Sequence, residues 1–141
     1  MLDRIKIGIS HGDVNGISYE VIIKTLMDSR MNEICIPVIF GSPKVVAYHR
    51  KALNIDNFTP TSILSPDEAK GKRTYVINCV DEHIRVELGK STESAGIAAF
   101  RALKAATDAL EAGKIDALVT GPVNKQNIQQ ADFNYKGHTE Y

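Results

Sequence analysis

Three short segments of the 141-residue chain gather the side chains able to do chemistry. The first, His11-Gly12-Asp13-Val14-Asn15-Gly16, offers an imidazole, a carboxylate and two glycines. Its glycine spacing fits neither the Gly-x-x-x-x-Gly-Lys-Ser/Thr phosphate loop nor the three-glycine dinucleotide fingerprint. Spacing alone favours a tight turn in which the glycines take positive φ and Asp13 accepts local N–H bonds. The second, Thr120-Gly121-Pro122-Val123-Asn124-Lys125, places an amide and an ammonium just past an apolar run. An anionic group would fit between that ammonium and the free N–H groups of a helix start; a capped helix followed by a solvated lysine fits the same residues. The third, Gly137-His138-Thr139-Glu140, sets an imidazole, a hydroxyl and a carboxylate side by side. Such a trio suits a hydroxylated, charged substrate, with the histidine titrating near neutrality, although its composition is equally that of a disordered tail. His49 and His83 fall inside a helical and a strand-like stretch and read as structural. No two histidines have the i, i+4 spacing of a helical zinc site, so metal binding within residues 1–141 cannot be argued from spacing.

These segments need elements to hold them. Ile5, Ile7 and Ile9 alternate with Lys6, Gly8 and Ser10, which predicts a strand, and from Ser18 the apolar spacing becomes helical through Tyr19 or Ile17, Val21, Ile22 and Leu26. A second strand is predicted over 36–40, followed by Ser42 as cap and Pro43 opening a helix that runs through Leu53. The stretch 54–72, with Pro60 and Pro66, reads mostly as loop. Residues 74–79 and 83–88 are predicted as two strands joined around Asp81-Glu82. A long helix is expected from Thr92 to Ala112, capped by Ser91 or Thr92 and stopped by Gly113. One of its faces carries Phe100, Leu103, Thr107 and Leu110, and beside it runs a stripe of Ala95, Ala99, Ala102, Ala106 and Ala109 that permits close approach to a neighbour. A short strand over 116–120 and a helix over 124–131 complete the pattern. Strands alternating with helices give an α/β fold with a largely parallel sheet, in which ligands bind beyond the carboxyl ends of the strands. The loops 10–16, 41–43 and 120–125 are at those ends.

Composition excludes several other classes. Seventeen Lys+Arg balance seventeen Asp+Glu, so the formal net charge is zero and no basic surplus exists for a nucleic-acid backbone. With 43 % apolar residues the chain can bury a core. No apolar run approaches the ~18 residues of a membrane span, and Met1-Leu2-Asp3-Arg4 opens no secretory signal. Cys35 and Cys79 lie far apart in apolar runs, which points to a reduced cytoplasmic setting with both as buried small hydrophobes.

Taken together, the segments resemble a family, the 4-hydroxythreonine-4-phosphate dehydrogenases of pyridoxal phosphate biosynthesis. Its opening loop, Gly-Asp-Pro-Ala-Gly-Ile-Gly-Pro-Glu, shares five of nine positions with Gly12-Asp13-Val14-Asn15-Gly16-Ile17-Ser18-Tyr19-Glu20. Its Ser-Ala-Gly helix start is similar to Ser94-Ala95-Gly96, and its Asp-Ala-Leu-Val-Thr-Ala-Pro-Ile-Asn-Lys to the run from Asp116 to Lys125, with Gly121 in place of Ala. Gly137-His138-Thr139-Glu140 stands in the family's order. The resemblance implies a three-layer α/β/α fold like that of isocitrate and isopropylmalate dehydrogenases. It makes His138 and Thr139 substrate contacts and puts Asp13, Asn124 and Lys125 in loops near the substrate. It further implies a homodimer, NAD or NADP, and a divalent metal (zinc, magnesium or cobalt) whose ligands lie outside this chain, the chain then being the N-terminal α/β portion of a longer enzyme and inactive alone. The implied reaction is metal-assisted oxidation and decarboxylation of 4-phosphooxy-L-threonine to 3-amino-2-oxopropyl phosphate, with no nucleic-acid or membrane partner. A dehydrogenase of another four-carbon phosphorylated acid, or a non-enzymatic binding domain that kept these loops, is the alternative.

Overall fold

The computed structural model describes residues 4–124. Strands β1 (Ile5–Ser10), β2 (Cys35–Gly41), β3 (Thr61–Ile63), β4 (Tyr75–Asn78) and β5 (Ala117–Thr120) form a sheet in the order β3-β4-β2-β1-β5, parallel at every pairing. Parallel neighbours require crossovers, and helices α1 (Ser18–Leu26), α2 (Met31–Ile34), α3 (Pro43–Ala52) and α4 (Glu93–Glu111) lie in them. Pro37, near the start of β2, falls outside the β4 ladder, which begins at Val38.

Side-chain alternation along the strands sorts the core into two faces. Ile9, Ile39 and Val76 pack against Tyr19, Ile22, Ile23 and Leu26 of α1 and Val45 and Val46 of α3. On the other face Ile36, Val38, Phe40, Tyr75 and Ile77 meet Ala106 and Ala109 of α4. The result is the α/β/α layering expected. Each fully buried valine or isoleucine contributes about 1.5–3 kcal/mol, so the strands themselves supply much of the driving force. Helix α4 joins both faces, because Ala95 and Ala98 near its start belong to the first cluster and its later alanines to the second. Its start is fixed by the Thr92 hydroxyl, which accepts the Ala95 N–H, and its end by Gly113 at φ 73°. Ser42 caps α3 in the same way through the Val45 N–H, with Pro43 in the first turn.

Several expectations are corrected. Residues 83–88 form no strand: both sides of β4 are taken, by β2 and by β3. That third strand comes from the stretch expected to be loop, which also holds a one-turn 3-10 helix at Pro66–Glu68. Ile84 and Val86 still pack on the first core, which explains their apolar character. In α1 the buried face is Tyr19, Ile22, Ile23 and Leu26, at i, i+3, i+4 and i+7, which turns Val21 outward. In α4 the alanines are the buried face; of the larger set only Leu103 is buried, while Leu110 is exposed. His83 is exposed and not structural, and Cys79 is half-buried where full burial was expected. Its surroundings still push the Cys79 thiol up to about 12, so it carries no nucleophile. No helix among the described residues is long and apolar enough to cross a membrane.

Candidate functional site

The carboxyl ends of β1, β2, β4 and β5 make one rim, and the loops leaving them are joined backbone to backbone. His11 N–H donates to Phe40 C=O at 3.0 Å, Gly121 N–H to Ser10 C=O at 2.8 Å, Asp13 N–H to Pro122 C=O at 2.8 Å and Cys79 N–H to Gly41 C=O at 2.7 Å. The Asp13–Pro122 bond brings the first and second chemistry-bearing segments together, so Asp13 and Asn124 share the rim. Gly12 takes φ 69°, the left-handed region expected of it, and a Cβ there would strike the Gly121 and Pro122 backbone. Asp13 Oδ1 accepts the Asn15 N–H at 3.0 Å, the local turn expected from spacing, and Oδ2 has no hydrogen-bond partner among the described residues. Gly16 does not take positive φ; of the two glycines only Gly12 does.

Beneath the rim runs a buried polar network. His11 Nε2 lies 3.0 Å from Ala98 C=O and Nδ1 2.6 Å from the Tyr19 hydroxyl. A carbonyl only accepts, so Nε2 carries the proton and Nδ1 accepts from Tyr19 O–H. Tyr19 Oη in turn accepts the Ser42 N–H at 3.2 Å. Every polar atom of the two rings has a partner, and α1, α3, α4 and β1 are linked through them. Burial lowers the His11 pKa to about 4 and raises that of Tyr19, so both are neutral at pH 7. His49, its ring stacked on Tyr19 with centroids 5.1 Å apart, donates from Nε2 to Val14 C=O at 2.8 Å, and burial lowers its pKa as well. Asn15 fastens the approach to α4: its Nδ2 donates to Lys90 C=O and Thr92 Oγ1, its Oδ1 accepts Glu87 N–H at 2.7 Å, and its own C=O accepts Gly89 N–H.

His11, Asn15, Tyr19 and His49 are buried and hold the loops; Asp13 and Asn124 are half-buried at the rim. Lys125, His138 and Thr139, and the helix expected over 124–131 beyond its first residue, lie outside the described residues. Sequence reasoning did not find the His11–Tyr19 pair, whose one signal is an i, i+8 spacing across a turn. A cleft of about 290 Å³ between the start of α4 and the segment after β4 is lined in part by Asp81, His83, Arg85, Ser94 and Arg101. Its two guanidiniums are exposed and lack ion pairs among the described residues, so it is less preorganised than the rim. Among the described residues no three His, Cys, Asp or Glu side chains gather as a cation site.

Residues 33–141 match the family model described as Pyridoxal phosphate biosynthetic protein PdxA. The chain is 49 % identical over 140 residues to a 4-hydroxythreonine-4-phosphate dehydrogenase of Bacteroides thetaiotaomicron, covering 99 % of this chain and 38 % of that protein. It is 33 % identical over 138 residues to a Clostridium botulinum protein carrying the name D-threonate 4-phosphate dehydrogenase, covering 95 % and 41 %. The crystal structure of a 4-hydroxythreonine-4-phosphate dehydrogenase from Burkholderia phymatum superposes with a TM-score of 0.87 at 28 % identity, covering 99 % of this chain and 42 % of that one. The chain thus spans about two-fifths of the length of the curated relatives it matches.

Proposed function

Because the chain belongs to the PdxA family of pyridoxal phosphate biosynthetic proteins, we propose that it serves a dehydrogenase of small four-carbon phosphorylated acids, with 4-phosphooxy-L-threonine as substrate. Oxidation at C3 sends a hydride to NAD or NADP and a proton to solvent; the 3-oxo acid then loses carbon dioxide and the resulting enolate takes a proton at C2 to give 3-amino-2-oxopropyl phosphate. A divalent cation, when bound, would supply Lewis-acid polarisation of the substrate oxygen. The contribution this reading gives to the described residues is binding and orientation.

The observation that carries this reading is the Asp13 N–H to Pro122 C=O bond, which unites the loop of the first family motif with that of the third. Asn124 and the adjoining Lys125 then suit an anionic substrate group, and His138 and Thr139 suit further substrate contacts. The reading includes a cytoplasmic homodimer. D-threonate 4-phosphate is the second substrate to consider, because a relative at 33 % identity carries that name. The test is to incubate the full-length protein with each acid, NAD or NADP and an added divalent cation, following nicotinamide absorbance. Reduction with 4-phosphooxy-L-threonine is expected; turnover of D-threonate 4-phosphate alone would move the assignment to that acid, and a folded protein that reduces neither cofactor with either acid would overturn it.

A further inference from the structure

Ser18 opens α1 and is fully buried, and its hydroxyl donates to the His11 carbonyl. Gly121, also buried, follows β5 directly and donates its N–H to Ser10 C=O at 2.8 Å. The two positions meet: a Cβ built on Gly121 would fall on Ser18 Oγ, well inside contact distance. It would also lie 2.8 Å from Ser10 O and 3.0 Å from His11 O. Those oxygens have little room to retreat, because Ser10 is paired in the sheet and His11 N–H is bonded to Phe40 C=O. The Ser18 hydroxyl therefore occupies the space a methyl at 121 would need.

We propose that Ser18 and Gly121 are a coupled pair of positioning residues, which together set the spacing between the loop carrying Asp13 and the segment carrying Asn124. The functional half of this inference rests on the substrate-site reading given above; the geometric half does not. Asp13 N–H to Pro122 C=O and Gly121 N–H to Ser10 C=O both join these segments, so a change in spacing appears first as lost amide protection and then as a changed KM. Neither residue needs to touch substrate.

The test is a double-mutant cycle in the full-length protein: Ser18→Gly, Gly121→Ala and the two combined. Melting temperature, hydrogen exchange at the Asp13 and Gly121 amides, and kcat and KM for 4-phosphooxy-L-threonine are measured on each. Gly121→Ala is expected to lower the melting temperature, abolish protection at Asp13 and reduce kcat/KM by about ten- to a hundredfold, mainly through KM, as displacement of a positioning group does. The combined variant should regain much of all three losses, being better than Gly121→Ala alone. Additive losses with no recovery would overturn the coupling. Recovery of stability with KM unchanged in every variant would overturn the positioning role. If the unmodified protein turns over no phosphorylated acid, the function reading falls, and Asp13 and Gly121 protection then decides the pair: recovery in the combined variant sustains it and additive loss refutes it.

Discussion

Replacing Tyr19 by Phe is a sharp test of what holds the rim, because it keeps the ring and removes one oxygen. The ring is fully buried, stacked on His49 and set edge-on to His11 at 5.4 Å between centroids, and all of that packing survives. What is lost is the donor to His11 Nδ1 at 2.6 Å and the acceptor of Ser42 N–H at 3.2 Å. Both stranded groups belong to residues at most 3 % exposed, so neither turns to solvent. The hydroxyl sits against the Gly41 backbone, where even a Cβ would collide with it, and the vacated space is smaller than the roughly 30 Å³ that one water occupies. Each unsatisfied partner costs about 1–3 kcal/mol, and allowing for some relaxation the pair should cost about 2–4 kcal/mol. Urea unfolding at pH 7, followed by far-UV circular dichroism, reads this as a lowered midpoint at unchanged slope. A midpoint equivalent to less than about 0.5 kcal/mol of destabilisation, the level of an ordinary surface change, would show that the network does not hold the loops and would refute the reasoning.

Acid should destabilise the fold between about pH 6.5 and 4: with the His11 pKa lowered to about 4, the unfolded chain binds a proton in that window and the folded chain does not, a loss of about 3 kcal/mol as pH falls. His49 shifts in the same direction and adds to it; urea midpoints that stay flat from pH 7 to 4 would contradict both. Ala102→Leu forces a larger side chain into the fully buried face of α4 and should cost ~1–3 kcal/mol by overpacking, read by denaturant titration, with sedimentation reporting any change of assembly. On the proposed function, His138→Ala in the full-length protein should lower kcat/KM by about ten- to a hundredfold, as removal of a hydrogen bond to a charged substrate would; unchanged kinetics with a lower melting temperature would make that histidine structural.

Elements whose local signals and burial agree are legible from sequence. Ser42-Pro43 opens α3 and Thr92 with Gly113 brackets α4, because caps and left-handed glycines act within a few residues. The alternation of Ile5, Ile7 and Ile9 gives β1 for the same reason. Failures occur where a distant partner decides. Thr61–Ile63 is too short and too polar to announce a strand and exists because β4 offers it an edge; residues 83–88 have the right composition but find both sides of β4 already paired. At the site, Asp13 and Asn124 could be placed at strand ends from pattern alone, yet the joining of their loops through Asp13 and Pro122 depends on β5 pairing with β1 across a long sequence separation. Tyr19, read as one apolar member of a helical stripe, is also the hydroxyl on which His11 and Ser42 depend, and periodicity contains nothing about that.

Four buried residues of the loop after β1 and the start of α1 form a connected set. Val14, Asn15, Ser18 and Tyr19 are each at most 2 % exposed, and each takes part in a hydrogen bond that fixes the loop: Val14 through its carbonyl to His49, Asn15 to residues 87–92, Ser18 to His11 and Tyr19 to His11 and Ser42. Prolines hold a loop by narrowing the unfolded ensemble, worth about 0.4–1 kcal/mol each where the native φ allows. That effect is local and nearly independent of pH. A buried network holds it by reciprocal partners, so loss of one group strands another and the effects are not additive. This loop is therefore stiffened as a unit, and its order is tied to the neutral state of His11. The acid sensitivity expected of the fold should consequently appear first at the rim, with Asp13 amide protection falling before global unfolding.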